Sequence, residues 1–175
     1  RRSSDLLRTG GKLFLVTTMS VAGISRGERE YNASDQRRFY IPCPKCNGPQ
    51  ILAWRLEDGS SRFRFEMQDG ESVVPGSTRY ECEHCEHLIE HRWKEPMVEA
   101  GHWVAHVPSR TMVRGYHIWT GYSPFVEWDQ IANKFLQSRK IPEKLKVFDN
   151  TWAGVTFKES TEETKPDQLK SRTES

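Results

Sequence analysis

No run in this sequence stays apolar for 18 residues, so nothing in it reads as a membrane-spanning helix. Apolar side chains are scarce throughout: the set AVILMFWYC makes up 35% of the 175 residues, and mean hydropathy is −0.75. So thin an apolar core calls for a staple. Neither sign of charge dominates, since 26 Lys and Arg against 24 Asp and Glu leave +2. That excludes the broad basic field of a general nucleic-acid coat and confines nucleic-acid contact to a local patch. Arg1-Arg2-Ser3-Ser4-Asp5 leads into only a short apolar run with no small-residue cleavage site, so no signal peptide is expected. There is no initiator Met, and the chain is expected to be a piece of something longer.

Complete catalytic motifs are also missing. The only Gly-Lys pair is Gly11-Lys12; Leu13 follows it where a phosphate loop needs Ser or Thr, and Leu6 stands where the first Gly belongs. No acidic pair closes an apolar strand, there is no H-E-x-x-H, and no Asp caps a buried strand as nuclease metal ligands do. By itself the chain is expected neither to hydrolyse ATP nor to cut DNA.

Aromatic residues, in contrast, reach 11% with 6 Trp, too many for a disordered chain. The four cysteines come as two C-x-x-C pairs, Cys43-Pro44-Lys45-Cys46 and Cys82-Glu83-His84-Cys85. Two thiolates three positions apart on a tight turn reach one metal, and two such turns face to face complete a tetrahedron. With nothing suggesting secretion, this spacing predicts a structural zinc held by Cys43, Cys46, Cys82 and Cys85. A redox C-x-x-C and an iron–sulfur site are the alternatives. His84, His87 and His91 crowd the second pair, and His84 is either a solvated residue or a substitute ligand.

Along the chain, Lys12–Thr18 reads as a buried strand of a parallel sheet and Gly23–Tyr31 as one or two helical turns. Strands are expected at Arg38–Ile41, Gln50–Trp54, Arg62–Glu66, Ser77–Glu81 and His87–Glu90, making a zinc ribbon around the two knuckles. A short helix at Glu95–Ala100 and strands at His102–Val107 and Gly115–Trp119 follow. Trp128–Ser138 carries Trp128, Ile131, Ala132, Phe135 and Leu136 on one apolar stripe, a helix facing the core. Pro142 opens another helix. Residues 158–175, with one Leu, read as a disordered tail or linker. Arg37, Arg38, Arg62 and Arg64 interleave with aromatics and are the candidate DNA contacts; ordinary solvated strand arginines are the alternative.

Three stretches, Lys12–Arg26, Glu30–Cys46 and Leu145–Thr151, resemble the large terminase subunit of tailed phages and prophages, in its GpA-like branch. The most specific phrase is Ser34-Asp35-Gln36-Arg37-Arg38-Phe39-Tyr40-Ile41-Pro42-Cys43 with Cys46. Tyr80–Cys85, Gly101 with Trp103, Arg114–His117 and Tyr122–Pro124 follow in the family's order, so the resemblance covers about residues 10–155. Two departures are Met19, where the family usually has Pro, and Glu86, where Gly is common.

The resemblance implies a fragment of an ATP-driven DNA-packaging motor and endonuclease. Residues 1–38 would end the ATPase region, 39–93 form the zinc ribbon, 94–157 lead to the nuclease, and 158–175 form the tail. Thr17 and Thr18 would occupy the motif that couples hydrolysis to movement. The fold class is α+β, a small zinc-ribbon module between a partial α/β ATPase edge and a short helical segment. ATP and Mg belong to the full-length parent, whose partners would be double-stranded DNA, the small terminase subunit, the portal and other terminase subunits, without a membrane, in the bacterial host cytoplasm. The alternative function is a stand-alone zinc ribbon that binds nucleic acid or protein.

Overall fold

The computed structural model describes residues 12–18, 20, 22–56, 58–108 and 112–156. The tail read at 158–175 lies outside them. The fold mixes short helices and strands, α+β in class. After helix α1 (Arg26–Asn32), capped by the Ser25 hydroxyl, comes β1 (Arg37–Pro42), the middle of the first sheet. β2 (Pro49–Gln50) pairs antiparallel with the end of β1, and β3 (Phe63–Arg64) and the hairpin β4 (Met67–Gln68) and β5 (Ser72–Val73) follow. β6 (Arg79–Glu81) pairs with both β3 and β7 (Leu88–Glu90). Helix α2 (Lys94–Glu99) leads to β8 (His102–Ala105), antiparallel to β1 from Arg37 opposite Ala105 to Tyr40 opposite His102. β9 (Tyr116–His117) runs parallel to β1 beside Arg37 and Arg38. Helices α3 (Trp128–Ser138) and α4 (Pro142–Val147) follow, then a π-helical turn at Phe148–Trp152.

Scarcity of aliphatic residues is met with rings. Trp54, Phe63, Tyr80, Trp119, Tyr122, Trp128 and Phe148 are buried, and Phe63 sits 5.5 Å from Trp128 and 4.9 Å from Tyr80, edge to face. Such pairs contribute about 0.5–1.5 kcal/mol beyond their burial. The apolar stripe of α3 lies in this core, with Trp128, Ile131 and Ala132 each 0% exposed. Its polar side holds the neighbouring loop. Asp129 accepts the Gly76 and Thr78 N–H groups at 2.5 and 3.1 Å, and Asn133 accepts the Val73 N–H at 2.8 Å. Buried Lys94 donates its ammonium to the Ser123 and Val126 carbonyls at 2.6 and 2.5 Å, tying α2 to the approach to α3.

Two expected strands take other forms. Gln50–Trp54 is ladder-paired only at its first residue, because its backbone bonds side chains instead. Leu52 donates to the Tyr122 hydroxyl at 2.8 Å and accepts from the Trp119 indole at 2.8 Å, while Ile51 accepts from the Tyr80 hydroxyl at 2.9 Å. Lys12–Thr18 is not a buried strand: Leu13, Phe14 and Val16 are 58%, 84% and 95% exposed. A parallel strand needs neighbours on both edges and both faces, and no described strand lies beside this segment.

Candidate metal centre and the basic residues around it

The two C-x-x-C segments fold into matching turns. The Cys43 N–H donates to the Gly48 carbonyl at 3.0 Å and the Asn47 N–H to the Cys43 carbonyl at 2.9 Å. The second turn repeats this, Cys82 to His87 and Glu86 to Cys82, each at 3.0 Å. In both, the N–H two residues after the first cysteine points at its sulfur, Lys45 to Cys43 at 3.5 Å and His84 to Cys82 at 3.4 Å. Both turns close on a left-handed residue, Asn47 at φ 58° and Glu86 at φ 56°. β1 with β2 carries the first turn and β6 with β7 the second, so the turns face each other.

The four Sγ atoms lie within 4.8 Å of one another, Cys43 to Cys85 at 3.9 Å and Cys46 to Cys82 at 3.8 Å. A disulfide requires about 2.05 Å, so the thiols are free. Metal–sulfur bonds of about 2.3 Å put tetrahedral sulfurs about 3.8 Å apart, and the donor set therefore fits a four-thiolate metal. Neither pair starts a helix, which a redox C-x-x-C does. Cys43 and Cys82 are buried, while Cys46 is exposed. Burial pushes the Cys43 thiol up to about 12, and the Gly48 N–H pulls Cys46 below the ordinary thiol range. Binding a cation there must displace protons, so affinity weakens as the pH is lowered.

The histidines stand apart from the sulfurs. The His84 ring donates to the Pro49 carbonyl at 2.8 Å and lies 3.2 Å from the Glu83 carboxylate, stitching one turn to the other. His91 accepts the Trp128 N–H on Nδ1 at 3.4 Å, its ring 5.3 Å from the indole.

Arg37 and Arg38 lie on β1 and Arg64 on β3, with Arg62 just before it. Arg37 is bound to Asp35 at 2.8 Å with its guanidinium 5.7 Å from the Tyr116 ring. Arg62 and Arg64 share Glu81, at 3.6 and 2.9 Å. Arg38 lies 5.7 Å over the Tyr31 ring and has no carboxylate partner among the described residues. Thr17 and Thr18 are exposed, the Thr17 hydroxyl donating to the Thr18 carbonyl at 3.1 Å. Gly23-Ile24-Ser25-Arg26-Gly27 has the spacing of a nucleophile elbow, but Ser25 is buried and its hydroxyl caps α1 by accepting the Glu28 N–H. Asp35, inside the most specific phrase, is 5% exposed and is the charged residue the sequence reading passed over. Its signal was its place between a turn and a basic strand.

Residues 7–103 match the family described as phage terminase large subunit gpA, ATPase domain, and residues 113–175 the terminase large subunit gpA, endonuclease domain. The large terminase subunit of Enterobacteria phage P21 is 31% identical over 168 residues, covering 84% of this chain and 25% of that protein. That of Escherichia phage lambda is 27% identical over 162 residues, covering 81% and 24%. The chain thus spans about a quarter of the length of these relatives. No solved structure matches it. The ATPase match alone takes in more than half of the residues, and the chain belongs to the phage terminase large subunit gpA family.

Proposed function

We propose that this chain serves within an ATP-driven motor that packages viral DNA and cuts it, and that it carries a structural zinc ribbon between the motor and nuclease parts. The observation that carries the first statement is the succession of ATPase and endonuclease matches along one chain. The observation that carries the second is the four-sulfur cluster on two matching turns. Residues 39–93 are the ribbon in this reading. Residues 1–38 end the ATPase region, with Thr17 and Thr18 at its coupling motif, and 94–157 lead into the nuclease. ATP and Mg act in the longer protein, whose partners are double-stranded DNA, the small terminase subunit, the portal and other terminase subunits, in the host cytoplasm.

Zinc closes its own site with four sulfurs, and its work there is structural. Metal analysis of reduced, natively purified protein tests this: one zinc per chain is expected, less than about half an equivalent overturns it, and a coloured iron centre replaces it. DNA contact through Arg37, Arg38, Arg62 and Arg64 is the finer proposal. Each phosphate contact adds about −0.9 to the salt slope, so four give about −3.6. Three of these arginines are engaged with carboxylates and must exchange them for phosphates. A titration at low and moderate salt with Arg37→Ala/Arg38→Ala decides: unchanged affinity and slope end the DNA role and leave the ribbon a packing module.

A further inference from the structure

Asp35 bonds in four directions at once. Its N–H donates to the Val113 carbonyl at 3.0 Å, and its carbonyl accepts from the Val107 N–H at 3.1 Å. One carboxylate oxygen accepts the Gly115 N–H at 3.1 Å, and the other takes the Arg37 Nε–H at 2.8 Å. The Arg37 N–H returns to the Gly115 carbonyl at 2.7 Å, where parallel pairing of β1 and β9 begins. Ser34, 0% exposed, backs this corner: its hydroxyl donates to the Tyr31 carbonyl at 2.6 Å and accepts the Gln36 N–H at 3.1 Å. A Cβ on Gly115 would lie 2.7 Å from the Ser34 Cβ, so only glycine fits. Beyond it, His117 packs on Tyr31 and donates to the Gly154 carbonyl at 2.6 Å.

Apart from Val107, which lies within it, the residues joined this way sit on the two sides of the break between the family matches, which end at 103 and resume at 113. We propose that Asp35 is the positioning residue of a polar joint that locks the ATPase-matched stretch to the endonuclease-matched stretch, so that displacement on either side is passed to the other. The assignment of the two sides rests on the family matches; the joint itself rests on the bonds. The core also links the two stretches, but an apolar contact slides more freely than a carboxylate held at both oxygens. Arg37 is therefore first a partner of Asp35, and its sequence-derived DNA role is secondary.

Amide hydrogen exchange on the whole chain, loaded with zinc, tests the joint from both sides. Asp35→Ala is expected to raise exchange at the Gly115 and Arg37 amides at least tenfold, the effect of losing charge-assisted hydrogen bonds. Gly115→Ala, made on the other side, is expected to raise exchange at Gln36 and Arg37. Asp35→Asn, which keeps the shape and an acceptor oxygen, is expected to hold Gly115 within about threefold of the parent; should the alanine variant not fold, Gly115→Ala decides, and exchange at Gln36 and Arg37 within twofold of the parent there overturns the proposal. The effects of Asp35→Ala and Gly115→Ala combined should fall short of their sum, as for residues in one network. Exchange at Gly115 and Arg37 within twofold of the parent in Asp35→Ala, full additivity, or equal acceleration at Tyr80 and Ile131 overturns the proposal. None of these readouts involves DNA, so failure of the packaging reading leaves the joint standing, and the reverse also holds.

Discussion

At the scale of single residues, the two cysteine turns share one backbone path and meet it with unequal side chains. Both need a left-handed residue at the fifth position. Asn47 tolerates it, whereas Glu86, at φ 56°, carries a longer side chain that makes the left-handed region cost about 1–2 kcal/mol. Glu86→Gly relieves that strain and gives back part of it as freedom in the unfolded chain. The expected net gain is about 0.5 kcal/mol, read as a raised melting temperature of the zinc-loaded protein; a loss of stability refutes it. At Gly48 the opposite holds. A Cβ there would meet the His84 ring, with Cγ 2.9 Å away, so Gly48→Ala must swing the ring off the Pro49 carbonyl. One lost hydrogen bond costs about 1 kcal/mol, and chemical denaturation should show it.

Between elements, helix α3 acts through both of its sides. Its indole and aliphatic side chains fill the core, while Asn133 holds β5 and Asp129 the loop between β5 and β6, each by backbone N–H groups. Partial burial pushes the Asp129 carboxyl up, but the Thr78 and Gly76 donors outweigh it and hold the group below the ordinary carboxylate range. The stabilisation is therefore present above about pH 4 and lost as pH falls through the lowered value. Asp129→Ala should cost about 1.5–3 kcal/mol by losing two charge-assisted hydrogen bonds, and Asp129→Asn less, since one amide oxygen remains. Equal stability of Asp129→Ala and the parent in denaturant at pH 7 refutes this. Were the cysteine module separable, Cys82→Ser would unfold residues 40–92 and spare the helix at 128–138. Phe63 and Tyr80 pack directly on Trp128, which argues against that separation. Zinc removal should instead loosen the module and α3 in one transition. The near-ultraviolet Trp signal and the protection of the Ile131 amide against exchange should fall together with metal content; protection at Ile131 that outlasts the metal supports the separable module after all.

Over the whole molecule, pH acts through two half-buried imidazoles. Burial, with the charge of Lys94 beside His91 and of Arg38 beside His117, holds both below 6.5. Below that value the unfolded chain binds protons that the folded chain refuses, so stability rises with pH through this window and is lost as pH falls under about 6.5. His117→Gln, which retains a donor for the Gly154 carbonyl, should flatten the acid limb; an unchanged slope refutes the assignment. What could be read from the residue order alone was local. The C-x-x-C spacing foretold a cluster of four sulfurs, the stripe on Trp128–Ser138 foretold its helix at the same bounds, and Pro142 marked the next one. The ordered phrases pointed to the family. Long-range partners were not legible. Nothing in Gln50–Trp54 says that its carbonyls and N–H groups will bond Tyr80, Trp119 and Tyr122, because those hydroxyl and indole groups arrive from 29 or more residues away. An apolar run at 12–18 meets the local criterion for a buried strand, yet burial needs neighbours that no described strand provides. The charges on Arg37, Arg62 and Arg64 were countable, but only the fold brought Asp35 and Glu81 against them. Hydrophobic pattern and turn chemistry are encoded over a few residues; which donor meets which acceptor is decided when the chain closes on itself.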